Sequence, residues 1–153
     1  MNISDLLSED NIFFLKVKNK DELFEKIAEI ISKKNKKMES KETLLSLMKN
    51  REKQGNTFAR KGVAIPHVKC NSLKDFKIYL FIVKDGIEYK EGEEKVQIIF
   101  MIIGPEKSYN IHLLLLSRLA RLIKETPVIK EILKEKEIGV INSIIGENEG
   151  KII

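Results

Sequence analysis

The sequence predicts an α/β fold, because short apolar runs rich in β-branched residues alternate with segments whose apolar residues recur at helical spacing. Two of the apolar runs, 76–83 and 96–103, are nearly continuous and have strand length, which is typical of strands covered on both faces. The chain has 153 residues, 42% of them hydrophobic, which is enough to bury the core of one ordinary domain. We therefore expect a single α/β domain over residues 1–153.

The first half of the chain predicts a strand followed by two helices. Residues 12–17, IFFLKV, have the apolar and β-branched composition of a strand. Asn19 stands three residues before Glu22 and is a candidate cap for an amphipathic helix through ELFEKIAEIIS. A second helix is expected to open at Ser40 and to end within 51–55, where a glycine breaks it. Its inward-facing residues are Leu44, Leu45, Leu47 and Met48.

The second half predicts a loop that runs into an extended stretch, then the two core strands and two helical regions. The polar, glycine-bearing segment 84–95 between the strands reads as a surface connection. A helix is expected to begin near Ser108 and to run until Pro127. The last helical region covers about 128–145, with an interruption near Gly139.

Charge and apolar patterning argue against two classes of protein. The net charge is +5, but basic and acidic residues alternate, as in IKEILKEKE, which is typical of solvated faces and not of a nucleic-acid surface. No apolar run approaches the roughly 20 residues that cross a bilayer, and the N-terminal MNISDLLSED is acidic where a secretory signal is basic. The lone Cys70 agrees with a reducing compartment. We expect a cytoplasmic protein without membrane insertion or a nucleic-acid partner.

Any imidazole chemistry must use His67 or His112, the two histidines of the chain. His67 follows Pro66, which fixes its own φ and disfavours helix for Ile65, so the ring is presented by a stiff, extended backbone. Such a position suits a precisely aimed side chain. His112 lies in the first turn or so of its predicted helix, so it is either a core-facing histidine or a ring beside amides that favour an anion.

The segment REKQGNT at 51–57, followed after five residues by VAIPH at 63–67, resembles the active-site signature of enzyme IIA domains of the fructose/mannitol type. This family includes nitrogen-regulatory members and belongs to the bacterial phosphoenolpyruvate-dependent sugar phosphotransferase system. The similarity continues into His112 and Leu113 and the apolar helix after them, so it covers nearly the whole chain. The resemblance implies a mixed sheet of about five strands with helices on both faces, a three-layer sandwich.

The resemblance implies a phosphotransferase that carries a phosphoryl group on His67. The group would come from an HPr-type phosphocarrier and would pass to the IIB domain of a sugar permease, for uptake of fructose- or mannitol-type sugars. A neutral imidazole suits this role because it has a nucleophilic nitrogen near pH 7. A nitrogen-related regulatory protein that acts by phosphorylation-dependent binding stays open as an alternative, since both kinds would phosphorylate the same histidine.

The resemblance also implies roles for three further residues. His112 corresponds to the second histidine of the family and would contact or orient the phosphorylated ring. Arg51 corresponds to its arginine, a planar cation suited to phosphate oxygens, and Thr57 to its threonine, a candidate hydrogen-bonding partner of phosphate. Apart from the family, Arg51 also reads as a helix C-terminal cation and Thr57 as a loop-ordering hydroxyl. The scheme requires no metal or cofactor, and no zinc-ligand spacing is recognisable.

The chain departs from the family pattern between Thr57 and Gly62. Small or glycine-rich residues are usual after the threonine, whereas Phe58, Arg60 and Lys61 stand here. We expect the added bulk to narrow the choice of partner and the two cations to strengthen attraction to an acidic one.

Overall fold

A computed structural model of the protein describes residues 2–35, 37–106 and 109–152, which form a six-stranded mixed sheet with helices on both faces. The α/β class and the three-layer arrangement are thus confirmed, with six strands where about five were expected. The strands are β1 (Ile12–Phe14), β2 (Phe58–Arg60), β3 (Val63–Ala64), β4 (His67–Lys69), β5 (Lys77–Ile87) and β6 (Val96–Gly104). The helices are α1 (Ile3–Leu6), α2 (Lys20–Lys34), α3 (Lys41–Gln54), α4 (Tyr109–Glu125), α5 (Val128–Lys134) and α6 (Ile138–Gly150), with a 3₁₀ turn at Glu9–Asn11.

Strand β6 is central to the sheet. It pairs antiparallel with β5, which pairs in parallel with β1, while β3 and then β4 run parallel along the other side of β6. Val63 of β3 lies opposite Ile98, and His67 of β4 lies opposite Ile102, so β4 pairs with the end of β6 that leads towards α4. This topology brings His67 beside the first turn of α4, which carries His112.

The two long strands separate two apolar cores, because successive side chains of a strand point to opposite faces. Over residues 78–83 and 98–103, the even-numbered side chains join the core that α1, α4, α5 and α6 cover. The odd-numbered side chains join the core under α2 and α3. The near-continuous apolar composition of both strands therefore reflects cover on both faces, as expected from the sequence.

Side-chain caps begin the two helices that the sequence predicts in the first half of the chain. The Asn19 Oδ1 accepts a hydrogen bond from the Glu22 amide at 2.9 Å, and the Ser40 Oγ accepts one from the Thr43 amide at 3.2 Å. Both caps satisfy amide groups that have no partner within the helix. The expected inward residues of α3 divide into two fully buried side chains, Leu44 and Met48, and two partly buried ones, Leu45 and Leu47.

The helix expected from Ser108 to Pro127 is α4. Its described part begins at Tyr109 and ends at Glu125, and position 108 lies outside the described residues. Its buried side is formed by His112, Leu115, Leu119, Leu122 and Ile123. Among the helices of the described ranges, none combines the length and the apolar character that crossing a bilayer requires.

The loop expected before His67 contains a hairpin of β2 and β3, which the sequence analysis missed. Arg60 pairs with Val63 across a two-residue turn, in which Lys61 and Gly62 have φ angles of 52° and 74°. Positive φ at both positions is the backbone of the tight turns that match the twist of paired strands. Glycine at position 62 adopts it without steric cost, whereas lysine at position 61 does so because the pairing on either side requires it.

The segment 84–95, expected as a surface connection, is partly strand and partly buried. Strand β5 continues through Ile87, and Tyr89 is only 4% exposed because its ring packs edge-on against Phe24. The strand predicted over 12–17 is also shorter, since β1 ends at Phe14. The chain stays beside β5 for one more residue, since the Leu15 amide donates to the carbonyl oxygen of Ile82 at 2.8 Å.

The break expected near Gly139 lies at 135–137, and Gly139 itself belongs to the first turn of α6. The Nζ of Lys84 donates to the carbonyl oxygens of Leu133 and Glu135, and the Glu135 carboxylate accepts from the next two amides. The bonds from Lys84 satisfy carbonyl groups at the end of α5 before the glycine is reached.

Candidate functional site

Helix α3, strand β4 and helix α4 meet around a cavity of about 470 Å³. Arg51 reaches it from the last turn of α3, His67 from the start of β4, and His112 from the first turn of α4. The structure therefore brings together three of the four residues that the sequence predicts for a site.

Both ring nitrogens of His67 have partners. The Nδ1 atom lies 3.0 Å from the carbonyl oxygen of Ile65, and the Nε2 atom lies 3.1 Å from the Nε of Arg51. A carbonyl oxygen can only accept a hydrogen bond and a guanidinium can only donate one. The neutral ring consequently carries its hydrogen on Nδ1 and keeps its lone pair on Nε2. Of the two nitrogens, Nε2 is the nucleophilic one.

The Ile-Pro sequence before His67 holds the backbone that fixes this ring. The Ile65 amide donates to the carbonyl oxygen of Thr57 at 2.9 Å, and the carbonyl oxygen of Pro66 accepts from the Ile102 amide at 3.0 Å. Proline also restricts the backbone of the residue before it to extended conformations. The carbonyl group of Ile65 is thereby held in place for the Nδ1 of His67.

Burial keeps both imidazoles neutral at pH 7. It lowers the pKa of His67 below the usual 6.5; the hydrogen bond to Ile65 raises that pKa and the charge of Arg51 lowers it. Burial also lowers the pKa of His112 to about 4, and the positive charges of His67 in its protonated form, of Lys69 and of Arg51 act in the same direction. The lone pair of His67 is therefore available for reaction at neutral pH.

The ring of His112 forms a wall of the cavity next to His67. The two ring centroids lie 4.7 Å apart with an interplanar angle of 59°, and the ring of Phe76 lies 5.9 Å from that of His112 on another side. His112 is 7% exposed. It thus faces both the core and the cavity. This position agrees with both readings of the sequence, a core-facing histidine and a ring beside an anion.

The guanidinium of Arg51 is held from two directions. Its Nε donates to His67, and its Nη1 donates to the carbonyl oxygen of Gly55, the residue that follows α3, at 2.8 Å. A guanidinium offers five donors in a planar fork. The same side chain can therefore hold the ring and bind an anion in the cavity.

Thr57 lies outside the set of described residues that line the cavity. Its amide donates to the Glu52 carboxylate at 3.2 Å, and its hydroxyl hydrogen-bonds with that carboxylate and with the Tyr89 hydroxyl, the latter at 2.6 Å. Thr57 is the one predicted site residue that the structure places behind the cavity. A direct contact with phosphate stays a prediction.

The cavity wall also contains residues that the sequence analysis did not assign to a site. A signal for them was available, since positions 47, 50, 51 and 54 lie on one helical face and positions 67 and 69 lie on one face of a strand. Of the charged residues described in the lining, both are cations, Arg51 and Lys69. The unassigned lining residues are Leu47, Asn50, Gln54, Val68, Lys69, Leu113 and Leu116.

The residues that depart from the family pattern lie in the β2–β3 hairpin. Phe58 is partly buried against the core under α2 and α3, Arg60 is exposed, and Lys61 forms the turn. These three residues are outside the described cavity lining, and their effect on partner choice stays a prediction.

A nucleophilic nitrogen beside two cations is suited to attack on a centre that carries negatively charged oxygens, because the cations stabilise the charge on those oxygens. The described residues contain no group of three histidine, cysteine, aspartate or glutamate side chains arranged to hold a metal ion. The donors present in the cavity are therefore imidazole, guanidinium, ammonium and amide groups.

Residues 5–148 match the family model described as phosphoenolpyruvate-dependent sugar phosphotransferase system, EIIA 2. The chain is 28% identical over 151 residues to the PTS system fructose-specific EIIABC component of Bacillus subtilis (strain 168), covering 97% of this chain but only 24% of that protein. It is 31% identical over 154 residues to the nitrogen regulatory protein of Bradyrhizobium diazoefficiens, covering 95% of each chain.

Two solved structures share the fold. The nitrogen regulatory protein IIA-Ntr from Neisseria meningitidis superposes with a TM-score of 0.85 at 23% identity, covering 94% of this chain and 98% of that one. The enzyme IIA for mannitol from Escherichia coli, solved in complex with phosphorylated enzyme IIB, gives a TM-score of 0.77 at 17% identity, covering 93% and 99%. At these identities the likeness shows a common fold.

Proposed function

The chain belongs to the phosphoenolpyruvate-dependent sugar phosphotransferase system EIIA 2 family, and from that membership we propose that its His67 carries a phosphoryl group between two proteins. One observation supports this role above the others. The His67 ring is held with its hydrogen on Nδ1 and its lone pair on Nε2, beside a guanidinium and in an accessible cavity.

In the accepting step, the lone pair of His67 Nε2 attacks the phosphorus atom of a phosphohistidine on the donor protein. The bond between phosphorus and the donor nitrogen breaks, its electron pair returns to the donor ring, and a new bond joins phosphorus to Nε2. The His67 ring gains positive charge as this bond forms. The carbonyl oxygen of Ile65 stabilises that charge through the hydrogen bond from Nδ1.

Arg51 has to change partner during this step, because its Nε donates to the lone pair that attacks. We expect the Nε to move from the ring to an oxygen of the arriving phosphoryl group while the Nη1 stays on Gly55. The charge of Lys69 and the N–H group of the neutral His112 ring add stabilisation on other sides of the cavity.

In the donating step, a nucleophile of the second partner attacks phosphorus and the electron pair of the breaking bond returns to Nε2. The hydrogen retained on Nδ1 makes His67 a neutral leaving group, which favours departure. We propose a phosphorylated HPr-type protein as the donor and a IIB domain as the acceptor, both in the cytoplasm. The mannitol enzyme IIA shares the fold of this chain, and its complex with phosphorylated IIB supports a IIB domain as the partner.

Two physiological uses of this transfer are supported by different relatives. The fructose-specific EIIABC component supports sugar uptake, although the chain spans about a quarter of that protein. The nitrogen regulatory protein, which matches over nearly its whole length, supports a regulatory role through binding that depends on phosphorylation. Transfer from the phosphorylated chain to a fructose-type IIB domain is expected in the first case and not in the second.

Phosphorylation with purified components tests the proposal. The chain is incubated with phosphoenolpyruvate, enzyme I and HPr, and acid-labile label on it is measured for wild type, His67→Gln and His112→Gln. We expect wild type and His112→Gln to be labelled and His67→Gln to stay unlabelled, with His112→Gln passing the group on more slowly. The two variants are a matched pair, because each exchanges one of the two histidines for the same residue. Normal labelling of His67→Gln would show that another residue accepts the group.

A further inference from the structure

We propose that Glu52 is a positioning residue for the reaction, which holds His67 and Arg51 in register through Thr57, Ile65 and the backbone after α3. The inference rests on the proposed function of His67 and adds to it a residue that does not touch the cavity. It is based on a continuous path of hydrogen bonds from the Glu52 carboxylate to the reactive ring.

The Glu52 carboxylate is the centre of a shielded polar cluster. It accepts from the Lys20 ammonium at 2.7 Å, from the Thr57 amide at 3.2 Å, from the Thr57 hydroxyl and from the Tyr89 hydroxyl at 3.3 Å. The side chain of Glu52 is 11% exposed and that of Lys20 is 25% exposed. A carboxylate with this many donors, including a cation, has little freedom to move.

The first path from Glu52 leads to the ring of His67 through the backbone. The carbonyl oxygen of Thr57 accepts from the Ile65 amide at 2.9 Å, and the carbonyl oxygen of Ile65 accepts from the Nδ1 of His67 at 3.0 Å. A displacement of Thr57 would therefore move Ile65, whose carbonyl oxygen accepts the hydrogen on Nδ1 of His67.

A second path leads from Glu52 to Arg51. The backbone carbonyl oxygen of Glu52 accepts from the Gly55 amide at 3.2 Å, while its carboxylate binds the Thr57 amide two residues further on. Glu52 thus anchors both ends of the segment 55–57. The carbonyl oxygen of Gly55, which receives the Nη1 of Arg51 at 2.8 Å, lies in this anchored segment.

The two paths meet at the reactive nitrogen. The first sets which nitrogen of His67 bears the hydrogen, and the second sets the position of the guanidinium that donates to the other nitrogen. Lys20 pairs with the Glu52 carboxylate from the side of α2 and offsets part of its negative charge, which also raises the pKa of His67. The carboxylate pairs with Lys20 and not with Arg51, so the guanidinium stays available for an anion.

The test compares Glu52→Gln with Glu29→Gln, which removes an exposed carboxylate paired with Lys33 and is matched in charge and chemistry. Nitrogen NMR of the unphosphorylated protein reports the tautomer of His67, and phosphorylated HPr serves as the donor for kcat/KM. In Glu52→Gln we expect a mixture of tautomers and a loss of about 10- to 100-fold in kcat/KM. Glu29→Gln should keep a single Nδ1–H tautomer and a kcat/KM within about twofold of wild type.

Substitutions of Thr57 provide an independent route if Glu52→Gln does not fold. Thr57→Val removes the hydroxyl that binds Glu52 and keeps the volume, whereas Thr57→Ser keeps the hydroxyl. We expect a mixture of His67 tautomers in Thr57→Val and the single Nδ1–H tautomer of wild type in Thr57→Ser. The loss of kcat/KM in the double variant Glu52→Gln, Thr57→Val should be no larger than the loss in Glu52→Gln alone, since both changes interrupt the same path of hydrogen bonds.

Wild-type tautomer and wild-type kcat/KM in Glu52→Gln would overturn the positioning role. A second result would also overturn it: a Thr57→Val variant with a reduced kcat/KM in which His67 keeps the single Nδ1–H tautomer. That combination indicates direct contact of Thr57 with phosphate. Failure of the proposed function is a separate result. In that case wild type takes no label from HPr, while the tautomer measurements still decide whether Glu52 controls the His67 ring.

Discussion

The Nε of Arg51 donates a hydrogen bond to the Nε2 of His67 across 3.1 Å, so the cation occupies the lone pair of the proposed nucleophile before any substrate arrives. This contact disfavours protonation of Nε2, because a proton there would meet the N–H group of a permanent cation. It also places the guanidinium beside the position where phosphoryl oxygens would arrive. The resting site is therefore arranged for the charge that would develop during the proposed transfer.

Arg51→Gln is predicted to lower kcat/KM for phosphoryl acceptance by about 100-fold, because it removes a charged donor to the phosphoryl oxygens. The pKa of His67 should rise, since the charge of Arg51 holds it down. Arg51→Lys keeps the charge but loses the planar fork, so an intermediate rate is expected. Transfer kinetics and a histidine NMR titration measure the two effects. Equal rates in wild type and Arg51→Gln would rule out a role in stabilising the phosphoryl group.

Acid should destabilise the fold through His112. The folded-state pKa of His112 is about 4, below the ordinary value of 6.5. Above about pH 6.5 the ring is neutral in both the folded and the unfolded chain, and the free energy of unfolding has its full value. As the pH falls from 6.5 towards 4, the unfolded chain binds a proton that the folded chain does not, so the free energy of unfolding decreases. The loss amounts to about 3 kcal/mol. Urea unfolding across this range should show a shallower decline for His112→Gln than for wild type.

His67 contributes a smaller decline of the same sign, which His112→Gln retains, since burial lowers its pKa as well. If the free energy of unfolding of His112→Gln depended on pH in the same way as that of wild type, the buried, neutral state of His112 would be contradicted.

Leu113 is predicted to form part of the surface on which the donor protein docks. It lines the cavity and is 48% exposed, so a partner that reaches His67 covers it. Leu113→Asp should raise KM for phosphorylated HPr by about tenfold with little change in the melting temperature, because a carboxylate there is desolvated on docking. Val140→Asp is the matched control, since Val140 is 39% exposed on α6 and outside the described cavity lining. The same KM in both variants would contradict docking over α4.

Gly104→Ala is predicted to disturb the site through packing. An added Cβ at position 104 would overlap the ring carbons of Phe76, whose ring lies 5.9 Å from that of His112. Displacement of this buried ring should cost about 1–3 kcal/mol in the free energy of unfolding and slow phosphoryl transfer. At Gly150 an added Cβ meets no atom within 4 Å, so Gly150→Ala serves as the control. Equal stability of the two variants in urea unfolding would show that Phe76 yields without cost.

The parts of the fold that local chemistry determines could be predicted from the sequence. The caps at Asn19 and Ser40 and the near-continuous apolar runs of β5 and β6 were recognisable because each signal lies within a few residues. The end of α5 was not, because Lys84 satisfies its last carbonyl groups from a distant strand. The burial of Tyr89 was missed for the same reason, since its hydroxyl partners, Glu52 and Thr57, belong to another part of the chain.

The candidate site divides in the same way. The motifs that resemble the enzyme IIA signature selected His67, His112 and Arg51, which the structure places around one cavity. They could not show which nitrogen of His67 keeps the lone pair, because that depends on the carbonyl group of Ile65 and on how the chain folds back towards Thr57. The position of Thr57 behind the cavity likewise follows from its contact with the Glu52 carboxylate.

The most direct test of the account is to identify the nitrogen that carries the phosphoryl group. The chain is labelled with ¹⁵N in its histidine rings, phosphorylated by phosphoenolpyruvate, enzyme I and HPr, and examined by ³¹P and ¹⁵N NMR. We predict coupling between phosphorus and the Nε2 of His67, with hydrogen remaining on Nδ1 opposite the carbonyl oxygen of Ile65. Phosphorus bound to Nδ1 of His67, or to His112, would contradict the account.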